Sequence, residues 1–135
     1  MKESAVFQEG YAKLNTAQKL AVDTVEGPVL VVAGPGTGKT HILTLRIANI
    51  LRETQTNPAN ILVLTFTESA ARTVRTRLAH LVGEITARDV AVFTFHSFCD
   101  YLLKTYPDFF PDWEGKRLAG DVEATLLWRQ VLDRR

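Results

Sequence analysis

Two kinds of hydrophobic pattern alternate along the chain. Short runs that are apolar at nearly every position, Val29–Ala33 and Ile61–Phe66, are each followed by residues with helical spacing. The second of these helices, Thr67–Val82, stops at Gly83 and carries its apolar residues at Ala71, Val74, Leu78 and Leu81. A third short strand, Asp89–Phe95, precedes another helix. Apolar strands that alternate with helices predict an α/β fold, in which helices cover both faces of a parallel sheet.

Capping and breaking residues predict the remaining elements. Asn15 and Gln18, three residues apart, form a capping pair that opens a helix, and Gly27-Pro28 stops it. The other predicted elements are a helix through Arg52, a loop at Thr54–Asn60, a helix at His96–Tyr106, a loop at Phe109–Gly120 and a last helix with Asp121 as N-cap.

Composition limits the class of protein only broadly. The chain has 135 residues, of which 46% are hydrophobic, enough to bury the core of one domain. Its formal net charge of +1 gives no overall attraction to nucleic acid, so any polyanion site must be a local patch. Cys99 is the only cysteine, which excludes an internal disulfide, and we expect it in the core. The longest apolar run is far too short to cross a bilayer, and we expect a cytoplasmic protein.

The segment after the first predicted strand has the composition of a phosphate-binding loop. It consists of Ala33, Gly34, Pro35, Gly36, Thr37, Gly38, Lys39 and Thr40. The usual pattern is G-x-x-x-x-G-K-[ST], and Ala33 stands at its first glycine. Lys39 is suited to reach the β- and γ-phosphates, and Thr40 to offer its hydroxyl to Mg²⁺. The loop therefore predicts nucleotide binding; the alternative is a structural Gly-rich turn.

Three segments together resemble a known family. They are Leu14–Gln18, Leu64–Ala71 and Phe93–Phe98, and with the phosphate loop between the first two they are similar to the UvrD/Rep family of superfamily 1 DNA helicases. The resemblance implies a P-loop NTPase with a RecA-like sheet, ATP and Mg²⁺ as cofactors, and 3′-to-5′ translocation on single-stranded DNA, with single/double-strand junctions as further partners. Thr67-Glu68 is typical of the RecB/AddA-like helicase–nuclease branch, which is the alternative within the class.

The resemblance also implies nucleotide-binding residues. Gln18 matches the glutamine that hydrogen-bonds the adenine edge; the alternative is that Gln18 only caps its helix. The family commonly has Arg after the loop threonine, where this chain has His41.

DNA-binding residues are implied at the ends of the second and third strands. Phe66, next to Thr65, matches a platform on which a DNA base stacks; the alternative is a Phe that packs the sheet end. The DNA-contacting motif of the third strand is matched by Thr94, His96 and Ser97. Arg72 lies on the helix after Phe66 and is either a phosphate contact or part of a solvated face.

The acidic motif Asp-Glu-x-x-Asp of this family has no counterpart before Arg135. We therefore expect residues 1–135 to be a truncated N-terminal part of the helicase ATP-binding domain, with helix 121–135 leading into a further segment. Such a chain is expected to bind ATP without hydrolysing it. The alternatives from another class are a P-loop kinase and a nucleotide-binding module.

Overall fold

The structure is a computed structural model that describes residues 5–113, 116 and 119–133. Its helices are α1 (Ala5–Ala12), α2 (Thr16–Asp23), α3 (Lys39–Glu53), α4 (Glu68–Val82), α5 (Glu84–Asp89), α6 (Phe95–Thr105) and α7 (Asp121–Leu132), and its strands are β1 (Leu62–Thr65) and β2 (Ala91–Thr94). Short 3-10 turns lie at Pro58–Asn60, Pro107–Phe109 and Pro111–Trp113. The chain divides into two compact units, one that ends at Phe95 and one that begins at His96.

Strands β1 and β2 form a parallel pair connected through α4 and α5. The register places Leu62 beside Ala91 and Thr65 beside Thr94. The side chain of Thr67 caps α4 by accepting the Ala70 N–H at 3.1 Å, and Gly83 ends that helix with φ of +87°. The predicted strand–helix–strand order is confirmed here, and the chain is of the α/β class.

The first predicted strand, Val29–Ala33, is wrong for this structure. These residues have no regular secondary structure, and Leu30 and Val32 are 89% and 90% exposed. A strand needs ladder hydrogen bonds from a neighbour, and within the described part of the chain only β1 and β2 form a sheet. The apolar sequence of this segment is therefore not sufficient to make it a buried strand.

The buried side chains of the first unit form two clusters, both of which include residues of α3 and α4. The cluster against the strands consists of Ile47, Leu51, Val63, Ala71, Val74, Leu78, Ala87, Val90 and Val92. The cluster around α1 and α2 consists of Phe7, Leu14, Ala21, Val22, Ile42, Leu45, Ala48 and Leu81. The apolar positions predicted for α4 are all buried, which confirms that prediction.

Helix α5 has no counterpart in the sequence prediction. It fills the residues before β2, so that this strand begins at Ala91 rather than at Asp89. The helix has six residues and buries only Ala87, which is too little for hydrophobic periodicity to indicate a helix.

The second unit corrects two further predictions. Cys99 is exposed rather than buried, and helix α6 contains no buried residue. Helix α7 has Gly120, not Asp121, as its N-cap, and the Gly120 N–H donates to the Glu123 carboxylate at 2.9 Å. Parts of the predicted loop and helix, at residues 114–115, 117–118 and 134–135, lie outside the described residues. None of the described helices is both long and apolar enough to cross a membrane.

Candidate nucleotide and nucleic-acid site

Two glycines give the phosphate loop its shape. Gly36 and Gly38 have φ of +73° and +82°, in the left-handed region where a side chain is strained. Gly38 is also the N-cap of α3, so the first helical turn, with the N–H groups of Lys39 and Thr40, follows the loop directly. A Cβ built on Gly36 would meet no atom within 4 Å, so the loop is open at this position. An open loop ahead of a helix N-terminus is suited to bind phosphate.

The side chain of Lys39 lies across the loop. Its Nζ donates hydrogen bonds to the carbonyl oxygens of Ala33 at 3.1 Å and Gly34 at 2.6 Å. The Thr37 hydroxyl donates to the same Gly34 carbonyl at 2.8 Å. A phosphate oxygen is a stronger acceptor for an ammonium group than a neutral carbonyl is. The loop therefore fits the phosphates of a nucleotide, which would take over these donors, and Thr40 follows in the same helical turn.

Gln18 connects helix α2 with the phosphate loop. Its Oε1 accepts the Asn15 N–H at 3.0 Å, while its own N–H donates to Asn15 Oδ1 at 2.9 Å. This confirms the predicted capping pair. Its Nε2 also donates to the Thr37 carbonyl at 3.3 Å, a contact that sequence reasoning missed because nothing local indicates it. The predicted contact of Gln18 with adenine stays a prediction.

The carboxyl ends of the two strands place three of the predicted DNA-binding residues at one edge. Thr65 and Thr94 are partners in the parallel register, and Thr65 Oγ1 donates to the Phe93 carbonyl at 3.3 Å. Phe66 follows directly and is 84% exposed, so its ring does not pack the sheet end in the described structure. Ligands bind at this edge in open parallel sheets.

The predicted basic and polar DNA contacts are distributed over two helices. Arg72 is exposed on α4, the helix that follows Phe66. Arg75, one turn further along α4, instead donates to the Val92 carbonyl of β2. His96 and Ser97 lie in the first turn of α6, and His96 is exposed. Of these residues, Arg75 thus has a structural contact within the unit, and Arg72 presents its charge to solvent.

A family model for the UvrD/REP helicase N-terminal domain matches residues 14–130. This chain belongs to that family. The resemblance seen in its motifs is thereby confirmed. As a UvrD/REP helicase N-terminal domain, the chain carries the phosphate loop and both DNA-motif segments inside the matched range, whereas helix α1 lies outside it.

Relatives of this UvrD/REP domain are named as helicases. The chain is 47% identical over 95 residues to the ATP-dependent DNA helicase PcrA of Staphylococcus epidermidis, which covers 70% of the chain and 13% of that protein. It is 46% identical over 91 residues to the protein of that name from Leuconostoc citreum, covering 67% of the chain and 12% of the relative. The Staphylococcus aureus protein of the same name is 46% identical over 95 residues. The chain thus spans about 13% of the length of the relatives it matches.

Proposed function

We propose that this chain is the ATP-binding N-terminal part of the first motor domain of an ATP-dependent DNA helicase, which moves 3′ to 5′ on single-stranded DNA in the cytoplasm. The observation that carries the proposal is the phosphate loop, in which the Lys39 ammonium lies across Ala33 and Gly34 at the N-terminus of α3. The names of the relatives and the family of the chain support ATP-dependent helicase activity in the full-length protein.

The nucleotide is held, in this proposal, by the loop from Ala33 to Thr40 together with Gln18. Lys39 neutralises phosphate charge, Thr40 offers a hydroxyl to Mg²⁺, and the N–H groups of the first turn of α3 donate to phosphate oxygens. The bound Mg²⁺ would supply positive charge against the phosphates during hydrolysis. The contact of Gln18 with the loop through Thr37 supports its role in holding the nucleotide.

DNA is bound, in this proposal, at the carboxyl edge of the strands. The exposed ring of Phe66 is available to stack on a base, and stacking does not depend on base identity. Thr65 and Thr94 supply hydroxyl donors for the DNA backbone at this edge, and Arg72 supplies a positive charge. His96 and Ser97 of the second unit are further donors that we propose for the DNA backbone. Single strands and single/double-strand junctions are the DNA partners we propose.

The proposal includes a larger RecA-like sheet with helices on both faces in the full-length protein. Val29–Ala33 becomes a further parallel strand there, since its side chains are apolar on both faces and the phosphate loop follows it directly. Its exposed side chains, Leu30 and Val32 above all, are the surface that such a sheet would bury.

Nucleotide binding by the 135-residue chain tests the proposal. A fluorescent ATP analogue titrated in the presence of Mg²⁺ should bind weakly, and Lys39→Ala should abolish the binding, because the loop then lacks its one ammonium group. Lys104→Ala is the matched control, since Lys104 is an exposed lysine paired with Asp100 at 2.6 Å and should leave binding unchanged.

Two results would contradict the proposal. Binding that survives Lys39→Ala would show that the loop does not hold the nucleotide. Steady ATP hydrolysis by the purified chain, lost in Lys39→Ala, would show that the hydrolytic groups are present within these residues and that the chain is not one part of a larger motor.

A further inference from the structure

Helix α1 precedes the family-matched residues but is packed against the phosphate-loop helix. Its Phe7 is 5% exposed and belongs to the same buried cluster as Ile42 and Leu45 of α3. The Arg52 guanidinium at the far end of α3 lies over the Phe7 ring, 4.5 Å from its centroid. These contacts fix α1 along much of the length of α3.

Gly10 of α1 lies close to His41 and Leu45 of α3. A Cβ built on Gly10 would lie 3.2 Å from Cε1 and 3.5 Å from Nε2 of His41, and 3.4 Å from Cδ2 of Leu45. Gly10 lies inside α1, where glycine destabilises a helix relative to alanine. Space for the imidazole is therefore what glycine provides at this position.

His41 lies in the first turn of α3, directly after Lys39 and Thr40. Its backbone N–H donates to the Gly38 carbonyl at 2.8 Å. His41 therefore contacts α1 through its ring and the last residue of the phosphate loop before α3 through its backbone. If the His41 ring is displaced and its backbone moves with it, Lys39 and Thr40 move too. These are the residues that we expect to contact the phosphates.

We propose that the contact between Gly10 and His41 positions the first turn of α3, and with it Lys39 and Thr40, for binding nucleotide phosphates. The two residues are positioning residues, and helix α1 becomes part of the nucleotide site although it lies outside the family-matched range. The inference rests on the proposed ATP binding at this loop.

Room beside His41 makes the inference testable without unfolding the chain. His41 lines a cavity of about 280 Å³ whose charged or titratable lining groups are Glu9 and Lys13 of the α1 side and Arg77 and His80 of α4. A methyl group added at Gly10 demands a shift of a few tenths of an ångström from His41, and the cavity leaves room for the ring and the first turn of α3 to move together without unfolding the chain. Gly10→Ala should therefore fold, and its higher helix propensity should offset part of the crowding.

The experiment is a double-variant cycle in the 135-residue chain. Gly10→Ala should weaken binding of a fluorescent ATP analogue with Mg²⁺ by ~3- to 10-fold while the melting temperature stays close to that of the wild type. In a His41→Ala background, Gly10→Ala should have no effect on affinity, because the crowded ring is gone. Glu9→Gln, next to Gly10 and on the same cavity, is the control and should bind like the wild type.

A second readout needs no nucleotide. The backbone amide resonances of Gly38, Lys39 and Thr40 should shift in Gly10→Ala, whereas the double variant should match His41→Ala. Unchanged resonances and affinity in a folded Gly10→Ala variant would overturn the inference, as would a loss of affinity that His41→Ala does not relieve.

If the wild-type chain binds no ATP analogue, the proposed function is contradicted, and the amide shifts still show whether a substitution at Gly10 moves the loop. If Gly10→Ala does not fold, agreement of the double variant with His41→Ala in affinity and amide shifts supports the contact, and disagreement overturns it.

Discussion

The Gln18 side-chain amide donates to the Thr37 backbone carbonyl at 3.3 Å, which joins helix α2 to the phosphate loop across 19 residues of sequence. The same amide caps α2 through its oxygen, which accepts the Asn15 N–H. An amide has two N–H donors and an oxygen with two lone pairs, so both contacts leave one donor and one acceptor position for a base edge. Capping and base recognition are therefore compatible roles for Gln18.

Gln18→Glu should separate these roles. A glutamate still accepts the Asn15 N–H but has no N–H to donate to Thr37 or to adenine. We expect the ATP-over-GTP preference to shrink while the melting temperature changes little, whereas Gln18→Ala should lower both. Competition titrations of ATP and GTP against a fluorescent analogue measure the preference as a ratio, which cancels the general repulsion that the new carboxylate exerts on phosphates. An unchanged ratio in Gln18→Glu would leave Gln18 as a helix cap and loop contact only.

If Phe66 stacks on a base, Phe66→Ala should reduce the affinity of the full-length protein for single-stranded DNA by roughly 1–3 kcal/mol, with little dependence on salt. Phe66→Tyr keeps an aromatic platform and should bind like the parent. Phe109, 79% exposed and part of the second unit, supplies the control Phe109→Ala, which should have no effect. Fluorescent oligonucleotide titrations measure these affinities. A folded Phe66→Ala variant with parental affinity would rule out the platform.

Arg72→Ala should weaken DNA binding in a different manner. If its guanidinium neutralises one phosphate, the slope of log affinity against log salt should flatten by about 0.7, the increment for a single strand. Arg72→Lys retains the charge and should keep the parental slope. The measurement is the same oligonucleotide titration repeated over a series of salt concentrations. A parental slope in Arg72→Ala would mean that Arg72 belongs to a solvated face.

Substitution by alanine should lower the unfolding free energy strongly at Leu45 and hardly at all at Leu30. Leu45 is 0% exposed in the core, so Leu45→Ala should cost about 2–5 kcal/mol of unfolding free energy in the 135-residue chain. Leu30 is 89% exposed, so Leu30→Ala should change it by less than about 0.5 kcal/mol. Urea unfolding measures both.

Leu30→Ala also tests the larger RecA-like sheet that we propose for the full-length protein. In the full-length protein, where we propose that Val29–Ala33 is a buried strand, Leu30→Ala should reduce the unfolding free energy as much as a core substitution does. If Leu30→Ala has an equally small effect on the unfolding free energy of the 135-residue chain and of the full-length protein, Val29–Ala33 is not a buried strand.

Tyr11 should titrate above the ordinary range for tyrosine. The hydrogen bond that its hydroxyl donates to Asp23 Oδ2 at 2.7 Å raises the pKa of Tyr11, with desolvation and the charge of Asp23 acting in the same direction and Arg52 opposing them. A pKa raised by folding means that the bond stabilises the chain below the ordinary tyrosine pKa, and that this stabilisation is lost as pH rises through the raised value.

Ultraviolet absorbance of the phenolate, followed in a Tyr101→Phe/Tyr106→Phe background, measures the Tyr11 titration. Asp23→Ala should return it to the ordinary range. A Tyr11 titration that Asp23→Ala does not lower would contradict the hydrogen bond.

Several parts of the fold follow from sequence because their interactions are local. The capping pair of Asn15 and Gln18 and the end of α4 at Gly83 each involve residues within about four positions. The same holds for the phosphate loop, whose glycines and Lys39 lie next to each other in the chain. The apolar spacing of α4 also predicted which of its residues are buried.

The amino-acid sequence by itself determined the phosphate loop, the order of strand and helix after it, and the motifs of the family. Only the tertiary structure decided which distant groups meet: Gln18 with Thr37, Arg75 with the Val92 carbonyl, and Gly10 with His41. It also decided that the side chains of Val29–Val32 are exposed and that Cys99 is not in the core. The physical reason is that a helix satisfies its backbone within a few residues, whereas a strand and a buried side chain depend on partners that local sequence does not specify.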